Sequence, residues 1–492
     1  MLLLGIDIGT SSIKVAVTDS QTGGCVSTAQ FPEDTETGII SEQPGWAEQS
    51  PEMWWQHVQN AVLKANASGK YQPKDIGAIG IAYQMHGLVI VDEQQQVLRP
   101  SIIWCDSRAV AIGEKAGQTI GAEKSLQHLL NSPGNFTAAK LAWVKANEPD
   151  IFKRIHKIML PGDFIAMKLT GEITTSIAAL SEGIFWDFKT NSLSEDVFNY
   201  FGFDKKIIPS IQPVFAAHGN VSGKVAALLG LTVGIPVTYK AGDQPNNALS
   251  LNVLEPGEVA ATAGTSGVIY GVSDSLTYDP QSRINTFAHV NYSADNIRTG
   301  VLLCINGTGI LNRWMKNIFS GNASYGEMNE AAATVPAGSA GIKILPFGNG
   351  AERMLNNKMI GSQFYGIDLN AHTRAHLVRA AQEGIAFSFR YGLDIMRENG
   401  MNPTVIRAGR ANLFLSSVFA QAFVDATNTP VELYECDGSV GAAVGAGIGV
   451  GAYRSAKEAF STTKPLQLIE PKDAAAHDVF YQEWKALLLK QS

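Results

Sequence analysis

The chain has 492 residues, of which 45% are hydrophobic and 17% are charged. This is enough for about two to four domains with buried cores, and the composition excludes a mainly disordered protein. The net charge of -7 at pH 7 disfavours a nucleic-acid-binding protein, because such proteins usually carry a basic excess.

The four cysteines are far apart and form no CxxC pair, so no zinc site is predicted. Sparse cysteines are typical of the reducing cytoplasm, where we expect the protein to be. The apolar start of the chain is too short for a signal peptide. No apolar run reaches the roughly 18 residues of a membrane span, so no membrane partner is expected.

Apolar runs between turn residues predict strands in the first half of the chain. They lie at 2–6, 13–18, 25–30, 76–82, 88–91 and 236–241. Ser50, Pro51 and Glu52 predict a helix start, since they supply an N-cap, a first-turn proline and an early acid. Helices are expected to dominate 124–169, and another is expected after Pro245.

The second half is predicted to begin between Leu249 and Gly257. Its predicted elements are a loop at 345–350, a helix at 375–397, a strand at 404–408, a closely packed helix at 438–451 and an amphipathic helix at 479–489. Strands that alternate with helices indicate an α/β protein with partly parallel sheets.

One short motif occurs twice. The segment Asp7–Lys14, which contains Gly-Thr-Ser, aligns with Thr262–Ile269, which contains it again, and each copy predicts a strand, a tight turn and a strand. Such turns offer N–H groups and hydroxyls to an anion, most often phosphate. Two copies predict a duplicated fold that holds a polyphosphate between its halves.

Two acids stand at predicted strand ends. Asp7 precedes the first Gly-Thr turn, where it could hold a metal-bound water beside a phosphate or simply form the turn. Asp243 follows a strand, where it could accept a proton from a substrate hydroxyl or cap the next helix. Ligands bind at the carboxyl ends of strands in open α/β sheets, so both positions are candidate sites.

Two polar runs follow other strands. Met85 and His86 belong to the first, and the second, Trp104–Arg108, mixes an aromatic face with polar groups as a polyol pocket does. The alternatives are a buried core histidine at His86 and a local ion pair between Asp106 and Arg108.

Two further glycine-rich segments are candidates for nucleotide-binding turns. Gly409–Asn412 follows a strand and could approach a flat ring or a phosphate, or could be only a tight turn. The chain has no GxxxxGK[ST] motif, and Gly447–Gly451 lacks the full GxGxxG spacing and a preceding strand. Neither a P-loop nor a Rossmann site is therefore predicted.

In this order, the motifs resemble those of the FGGY family of carbohydrate kinases, within the actin-like ATPase superfamily. The resemblance extends from Leu3 to about Tyr453. Its specific parts are Gly5–Ser11, Gln84–Gly87, Ile103–Arg108, Ala241–Asp243, Gly264–Gly267 and Gly441–Ala443.

The resemblance implies an α/β fold of two actin-like ATPase (RNase H-like) domains with a central cleft. The expected division is 1–250 for sugar, 251–455 for nucleotide and 456–492 as a helical tail. The implied activity is ATP-dependent phosphorylation of a ketopentose, with D-xylulose as the first expectation. Sugar and ATP are the implied partners, and Mg²⁺ is the implied metal. The sequence does not determine the oligomeric state, and a homodimer is compatible with it.

The same resemblance implies a role for each motif residue. Asp243 would be the catalytic base and Asp7 the acid on the Mg²⁺ side. The implied sugar-binding residues are Met85, His86, Asp106, Arg108 and Gln244. The implied nucleotide-binding residues are Thr10, Ser11, Gly264, Thr265, Ser266, Gly409, Arg410 and Asn412.

Three departures from the family pattern concern the substrates. Gln244 stands where asparagine is usual, Arg410 stands where glycine is usual, and the loop around Glu352 is altered. Other functions therefore stay open: a kinase for ribulose, another ketose or a polyol, a non-catalytic sugar-responsive regulator, or an actin-like chaperone ATPase.

Overall fold

The structure is a computed structural model that describes residues 1–34, 38–319 and 323–491. Within these residues, the strands of the first half are β1 (Leu2–Ile8), β2 (Ile13–Asp19), β3 (Cys25–Phe31), β4 (Glu48–Gln49), β5 (Ile76–Tyr83), β6 (Val89–Val91), β7 (Ser101–Ile102), β8 (Lys157–Met159), β9 (Thr174–Thr175), β10 (Trp186–Asp187), β11 (Ser192–Leu193), β12 (Ser210–Ile211) and β13 (Val237–Gly242). The helices of this half are α1 (Pro51–Asn66), α2 (Val110–Ile120), α3 (Ala122–Leu129), α4 (Thr137–Asn147), α5 (Pro149–Phe152), α6 (Pro161–Thr170), α7 (Ile177–Glu182), α8 (Glu195–Phe201), α9 (Gly223–Leu229) and α10 (Asp243–Ser250).

The strands of the second half are β14 (Glu258–Ala263), β15 (Gly267–Ser273), β16 (Asn285–Ala288), β17 (Thr299–Ile305), β18 (Lys343–Phe347), β19 (Gly361–Tyr365), β20 (Val405–Gly409), β21 (Val431–Tyr434) and β22 (Gln467–Ile469). Its helices are α11 (Gly309–Phe319), α12 (Tyr325–Ala333), α13 (Arg374–Glu398), α14 (Ser417–Thr427), α15 (Gly438–Gly449), α16 (Ala456–Ala459) and α17 (Ala474–Leu489). Among the described residues, the helices are too short or too polar to span a lipid bilayer.

The two halves repeat one sheet pattern. The first sheet has the strand order β13-β5-β1-β2-β3, and the second has β16-β17-β15-β14-β20-β21-β22. In each, an antiparallel hairpin carrying the Gly-Thr-Ser turn (β1–β2 or β14–β15) is followed outward by two parallel strands. The duplication predicted from the two turns is therefore present in the topology.

Helix α15 links the halves, because it follows a strand of the second sheet but packs on the first. A side chain at Gly5 or Gly80 would overlap the backbone of α15, so glycine at these strand positions allows the close approach. Thr238 of β13 also donates a hydrogen bond to Ala446 O at 2.8 Å. The segment predicted to be a closely packed helix is thus a bridge between the domains, and Gly447–Gly451 lies at its end rather than in a Rossmann turn.

The C-terminal segment belongs structurally to the second domain. Strand β22 pairs with β21. Helix α17 buries Tyr481 and Trp484 in the second core, and Trp484 donates a hydrogen bond to Ile344 O at 2.8 Å. Residues 467–489 are therefore integrated into this domain as a strand and a helix.

Several local predictions are confirmed and two are wrong. The hydroxyl of Ser50 caps α1 by accepting a hydrogen bond from Met53 N. The helix expected after Pro245 begins earlier, at Asp243, because proline is tolerated within the first helical turn. The predicted loop at 345–350 is partly strand, since Lys343–Phe347 pairs with β19 to form a hairpin.

Candidate active site

Three parallel strands bring the first-domain candidates to one edge. On the β5 strand, Tyr83 is in register with Ile8 of β1 on one side and Gly242 of β13 on the other. Asp7 and Asp243 each lie one residue from these positions, and Met85 follows Tyr83 by two. The shared carboxyl edge of the sheet therefore collects residues that are distant in sequence.

Asp7 and Asp243 form the acidic centre of this edge. Burial, followed by the charge of Asp437, raises the pKa of Asp7 to about 6. The charge of Lys14 opposes this rise. Burial, followed by the charge of Asp7, raises the pKa of Asp243 to about 7. A carboxyl group whose pKa lies near neutrality is suited to accept a proton from a substrate.

The amino ends of two helices meet at the acidic centre. Asp243 is the first residue of α10, and Gly438 begins α15 so close to Asp7 that a side chain there would overlap its carboxylate. Asn246 ties the helices together by donating a hydrogen bond to Gly438 O at 2.8 Å. Because helix amino ends carry partial positive charge, the arrangement favours bound anions.

Gln244 acts directly on the predicted base. Its backbone N–H and its side-chain amide both donate hydrogen bonds to the carboxylate of Asp243, which lowers the pKa of Asp243 against the effect of burial. The structure thus places the Gln244 amide on Asp243. The longer side chain therefore acts on the acid, and its contact with the sugar stays a prediction.

Met85 and His86 lie against the strand end that precedes Asp243. A side chain on Gly242 would come within 2.7 Å of Met85 Cγ, so the glycine lets Met85 approach. The His86 ring packs edge-on against Phe136, at 5.0 Å between centroids, and beside Phe287 of the second domain at 5.5 Å. Met85, His86 and Asp243 therefore lie together where the two domains meet.

His86 is held as a neutral ring in an unusual backbone conformation. Its φ of 63° lies in the left-handed region, which non-glycine residues seldom adopt. Burial, and next the charge of Lys140, lowers the pKa of His86 to about 3. Its Nδ1 makes no hydrogen bond to the described residues, so His86 combines the packing of a core histidine with an unused polar atom.

Asp106 and Arg108 form the ion pair that was the alternative interpretation. The Arg108 guanidinium donates to Asp106 Oδ2 at 2.7 Å and to Glu48 Oε1 at 2.6 Å, and Ala47 N donates to Asp106 Oδ2 at 2.6 Å. The guanidinium also stacks 3.8 Å from the Trp46 ring centroid. Both side chains are at most 1% exposed, and their charges hold the 45–49 loop; their contact with a sugar stays a prediction.

The neighbouring Trp104 does face the cleft, with 52% of its surface exposed. Its indole N–H donates to Thr10 Oγ1 at 2.9 Å, and Thr10 Oγ1 donates to Gln84 Oε1 at 3.2 Å. The Thr10 hydroxyl is therefore engaged within the first domain, whereas the Ser11 side chain makes no hydrogen bond to the described residues. Trp104 supplies the aromatic face expected from the 104–108 run.

The second Gly-Thr-Ser turn lies on the amino end of α11. Gly309 N donates to Gly264 O and Ile310 N to Thr265 O, both at 3.0 Å. Thr265 and Ser266 are exposed at the tip of the turn. The turn is therefore fixed by its carbonyl groups while its hydroxyls remain available to a ligand.

A cavity of about 320 Å³ opens beside this turn. Of the predicted nucleotide residues, Gly264, Thr265 and Asn412 line it, whereas Ser266, Gly409 and Arg410 are not among its lining residues. Arg410 is exposed, and its backbone N–H donates to Tyr434 O at 2.8 Å. Asn412 has a positive φ of 54°, which turns the chain toward Gly264.

The cavity also contains side chains that the sequence motifs do not indicate. They are Asn312 and Arg313 of α11, Tyr325 and Asn329 of α12, and Leu413, Leu415 and Ser416 before α14. Polar and apolar groups thus surround a space suited to a flat heterocycle and its sugar. On α11 and α12, helical periodicity assigns these positions to a solvent-exposed face. The sequence alone therefore does not mark them as cavity residues.

The acidic centre fits a divalent cation. Asp7 and Asp243 are oxygen ligands whose pKa values are raised by burial and by neighbouring negative charge, which a cation would oppose. Groups of three or more metal-binding side chains are absent from the described residues. Mg²⁺ does not require one, because it retains waters and uses one or two carboxylates together with substrate phosphates.

Comparison with known proteins settles the family. The model of the FGGY carbohydrate kinase N-terminal domain matches residues 2–250, and that of the C-terminal domain matches 259–450. The chain belongs to the FGGY family of carbohydrate kinases. As a family member it is a carbohydrate kinase, and its two α/β domains have the actin-like ATPase fold predicted from the motifs.

Individual relatives agree with this assignment. The chain is 30% identical to a xylulose kinase of Bacillus subtilis over 470 residues, covering 93% of this chain and 90% of the relative. It is 28% identical to a xylulose kinase of Escherichia coli, covering 90% and 88%.

Solved structures support the fold over its whole length. The structure of xylulose kinase from Rhodospirillum rubrum has a TM-score of 0.88 and 27% identity, covering 100% of this chain and 99% of the other. A gluconate kinase from Lactobacillus acidophilus and a glycerol kinase from Plasmodium falciparum both have TM-scores of 0.89 at 21% identity, with coverage of 99% and 98% for the first and 100% and 98% for the second. The last two share the fold, which is therefore common to kinases named for different substrates.

Proposed function

We propose that this kinase transfers the γ-phosphoryl group of ATP to the terminal hydroxyl of a ketopentose, D-xylulose, to give D-xylulose 5-phosphate. The observation that carries the proposal is the position of Asp243. It directly follows β13, whose last residue Gly242 lies against Met85, it begins α10, and its pKa is raised to about 7 by burial and then by Asp7. The names of the full-length relatives support the choice of sugar.

In this mechanism the sugar binds against the first domain and the nucleotide against the second. Asp243 takes the proton of the hydroxyl as its oxygen forms a bond to the γ-phosphorus. The bond from that phosphorus to the bridging oxygen of ADP breaks, and ADP leaves. Phosphoryl transfer depends mainly on alignment and charge neutralisation, so little further covalent chemistry is required of the protein.

The phosphates would lie between the two Gly-Thr-Ser turns. The exposed hydroxyls of Thr265 and Ser266, with the backbone around Ser11, offer hydrogen bonds from the two domains. Asp7 would hold the metal, and Mg²⁺ when bound supplies neutralisation of the phosphate charge. The amino ends of α10 and α15 add to the positive potential at the same place.

A second candidate is a kinase for another ketose or polyol. Gln244 favours it, because its amide lies on the predicted base where the family pattern has a shorter side chain. The shared fold of enzymes named for gluconate and glycerol shows that the architecture alone does not select a sugar.

A screen of ADP release tests the proposal. The purified protein is incubated with ATP and Mg²⁺ and with one of D-xylulose, D-ribulose, other ketoses, xylitol, gluconate or glycerol. We expect the highest kcat/KM with D-xylulose. A higher value for a polyol or an acid would replace the substrate, and release that no sugar stimulates would support the regulator or the chaperone ATPase instead.

A further inference from the structure

Glu182 is a buried carboxyl group that the mechanism above does not use. It is the last residue of α7, and its side chain is 3% exposed. Nothing in its local sequence singles it out, because a glutamate that ends an apolar helical turn is typical of a surface position. Its burial therefore calls for a partner or a function.

The two oxygens of Glu182 have different surroundings. Oε1 accepts a hydrogen bond from His86 N at 2.6 Å, and so supports the left-handed conformation of His86. Oε2 lies beside the last residue of β13, where a side chain on Gly242 would come within 3.0 Å of it. Oε2 makes no hydrogen bond within the part of the chain that the structure describes. The carboxyl group thus spans His86 and the residue that precedes Asp243.

Burial and the neighbouring acids favour the protonated form of this group. The acids that face it are Asp243 and Asp163, the bases are Lys140 and His86, and the phenols are Tyr83 and Tyr270. Lys140 Nζ donates a hydrogen bond to His86 O at 2.8 Å rather than to the carboxyl group of Glu182. Burial, with the charges of Asp243 and Asp163, raises the pKa of Glu182 well above its usual value despite the hydrogen bond from His86.

The position of Oε2 indicates what it could bind. Met85, His86 and Asp243 are the predicted sugar-side residues, and Oε2 lies between the last two. Oε2 has no hydrogen-bond partner among the described residues, and a polyhydroxylated ligand would provide an oxygen to pair with it. A protonated carboxyl group can donate a hydrogen bond, whereas Asp243 accepts the hydroxyl proton in its ionised form.

We propose that Glu182 is a substrate-contacting, specificity-determining residue whose Oε2 donates a hydrogen bond to a sugar oxygen other than the hydroxyl that Asp243 activates. The inference rests on the proposed sugar kinase function. The two carboxyl groups would then have different roles. Asp243 deprotonates one sugar hydroxyl, and Glu182 binds another and so distinguishes its configuration.

The first test is substrate selectivity in Glu182→Met, which keeps the volume but removes both oxygens. Its kcat/KM is measured for D-xylulose and D-ribulose, which differ in configuration at one carbon, with Glu172→Gln at an exposed position as the matched control. We expect the ratio of the two kcat/KM values to change by about tenfold or more, because a site built to pair with a hydroxyl discriminates by that contact. A purely structural role would lower both values together, and an unchanged ratio overturns the proposal.

The second test uses Glu182→Gln, which keeps an acceptor for His86 N and a donor toward the sugar. The KM for sugar of this variant and of the wild type is measured across the same range of pH. As pH rises through the raised pKa of Glu182, the wild type loses its donor and KM for sugar increases, whereas the glutamine variant shows no such increase. If KM depends on pH in the same way in the wild type and in Glu182→Gln, the proposal is overturned, and this holds even if Glu182→Met does not fold. Ionised Glu182 still accepts the hydrogen bond from His86 N, so loss of that contact cannot account for a change in KM.

Failure of the inference is distinguishable from failure of the proposed function. If the wild type phosphorylates a ketose and the Glu182 variants keep its selectivity and pH profile, only the inference is wrong. If no sugar stimulates ADP release by the wild type, the proposed function is wrong and the inference falls with it.

Discussion

Asp7 and Asp243 share one buried edge of the first sheet, and the charge of Asp7 adds to burial in raising the pKa of Asp243 to about 7. The two acids come from the ends of β1 and β13, which flank β5, so the order of strands in the sheet creates their proximity. Two carboxylates in one site repel each other unless a cation or a proton intervenes. This repulsion connects the fold to metal binding, to stability and to catalysis.

Replacement of Asp7 tests the metal role. In Asp7→Asn the site loses its carboxylate on the metal side, so we expect the Mg²⁺ concentration for half-maximal activity to rise by about tenfold or more. Titration of ADP release with Mg²⁺ at saturating ATP and sugar measures the change. Asp75→Asn at an exposed position is the control, and equal Mg²⁺ dependence in the two variants would remove Asp7 from the role.

The raised pKa values of the two acids also predict how stability depends on pH without ligands. Asp7 and Asp243 have raised pKa values of about 6 and about 7 in the folded protein, against 3.8 as the ordinary value. The folded state therefore holds more protons than the unfolded state between these values, and its stability falls as pH rises through this window.

The double variant Asp7→Asn/Asp243→Asn lacks these titrations. Compared with the wild type, we expect it to lose less stability between pH 5 and pH 8, by about 4 kcal/mol in the free energy of unfolding. Denaturant unfolding of the metal-free and nucleotide-free proteins at both pH values measures this. Parallel changes in the two proteins would show that the pKa values of these acids are not raised in the folded state.

Replacement of Arg108 tests whether this residue serves as a buried ion-pair partner or as a sugar contact. Arg108→Met would leave Asp106 buried without its cation, and we expect a loss of about 3–5 kcal/mol in the free energy of unfolding. Arg154→Met, which breaks an exposed pair with Asp92, is the matched control and should cost about 0–1 kcal/mol. A stable Arg108→Met variant with a raised KM for sugar would restore Arg108 to the sugar pocket.

Trp104 is predicted to provide a wall of that pocket. In Trp104→Ala we expect KM for the sugar to rise by about tenfold, which corresponds to about 1.4 kcal/mol, with little change in thermal stability because half of the side chain is exposed. Trp104→Phe keeps the ring but removes the hydrogen bond to Thr10, so it separates stacking from positioning. A drop in melting temperature with unchanged KM would assign Trp104 a structural role.

The motifs could be located from the sequence because they stand at strand ends, and strand ends follow from local patterns. Asp7, Met85 and Asp243 come together for that reason, as do Gly264 and Asn412 in the second domain. The predicted helix start after Pro245 is wrong because Pro245 lies within the first turn of α10, which begins at Asp243. That error is local and does not move the candidate site.

Other site residues depend on contacts that no local pattern contains. Burial of Asp106 and Arg108 requires the 45–49 loop and the Trp46 ring, which the fold brings to them. Glu182 is indistinguishable in sequence from a solvent-exposed residue until α7 is packed against the carboxyl ends of β5 and β13. Arg313 likewise lies on a helix face that periodicity alone assigns to solvent.

The most direct test of the account is the turnover of Asp243→Asn with ATP, Mg²⁺ and the sugar that gives the highest kcat/KM in the wild type. Asparagine keeps the size of the side chain but cannot take the hydroxyl proton. We predict that kcat falls by about 10²–10⁴-fold, while the Kd for ATP measured by calorimetry stays close to that of the wild type. Near-normal turnover in this variant would contradict the central claim that Asp243 activates the sugar hydroxyl.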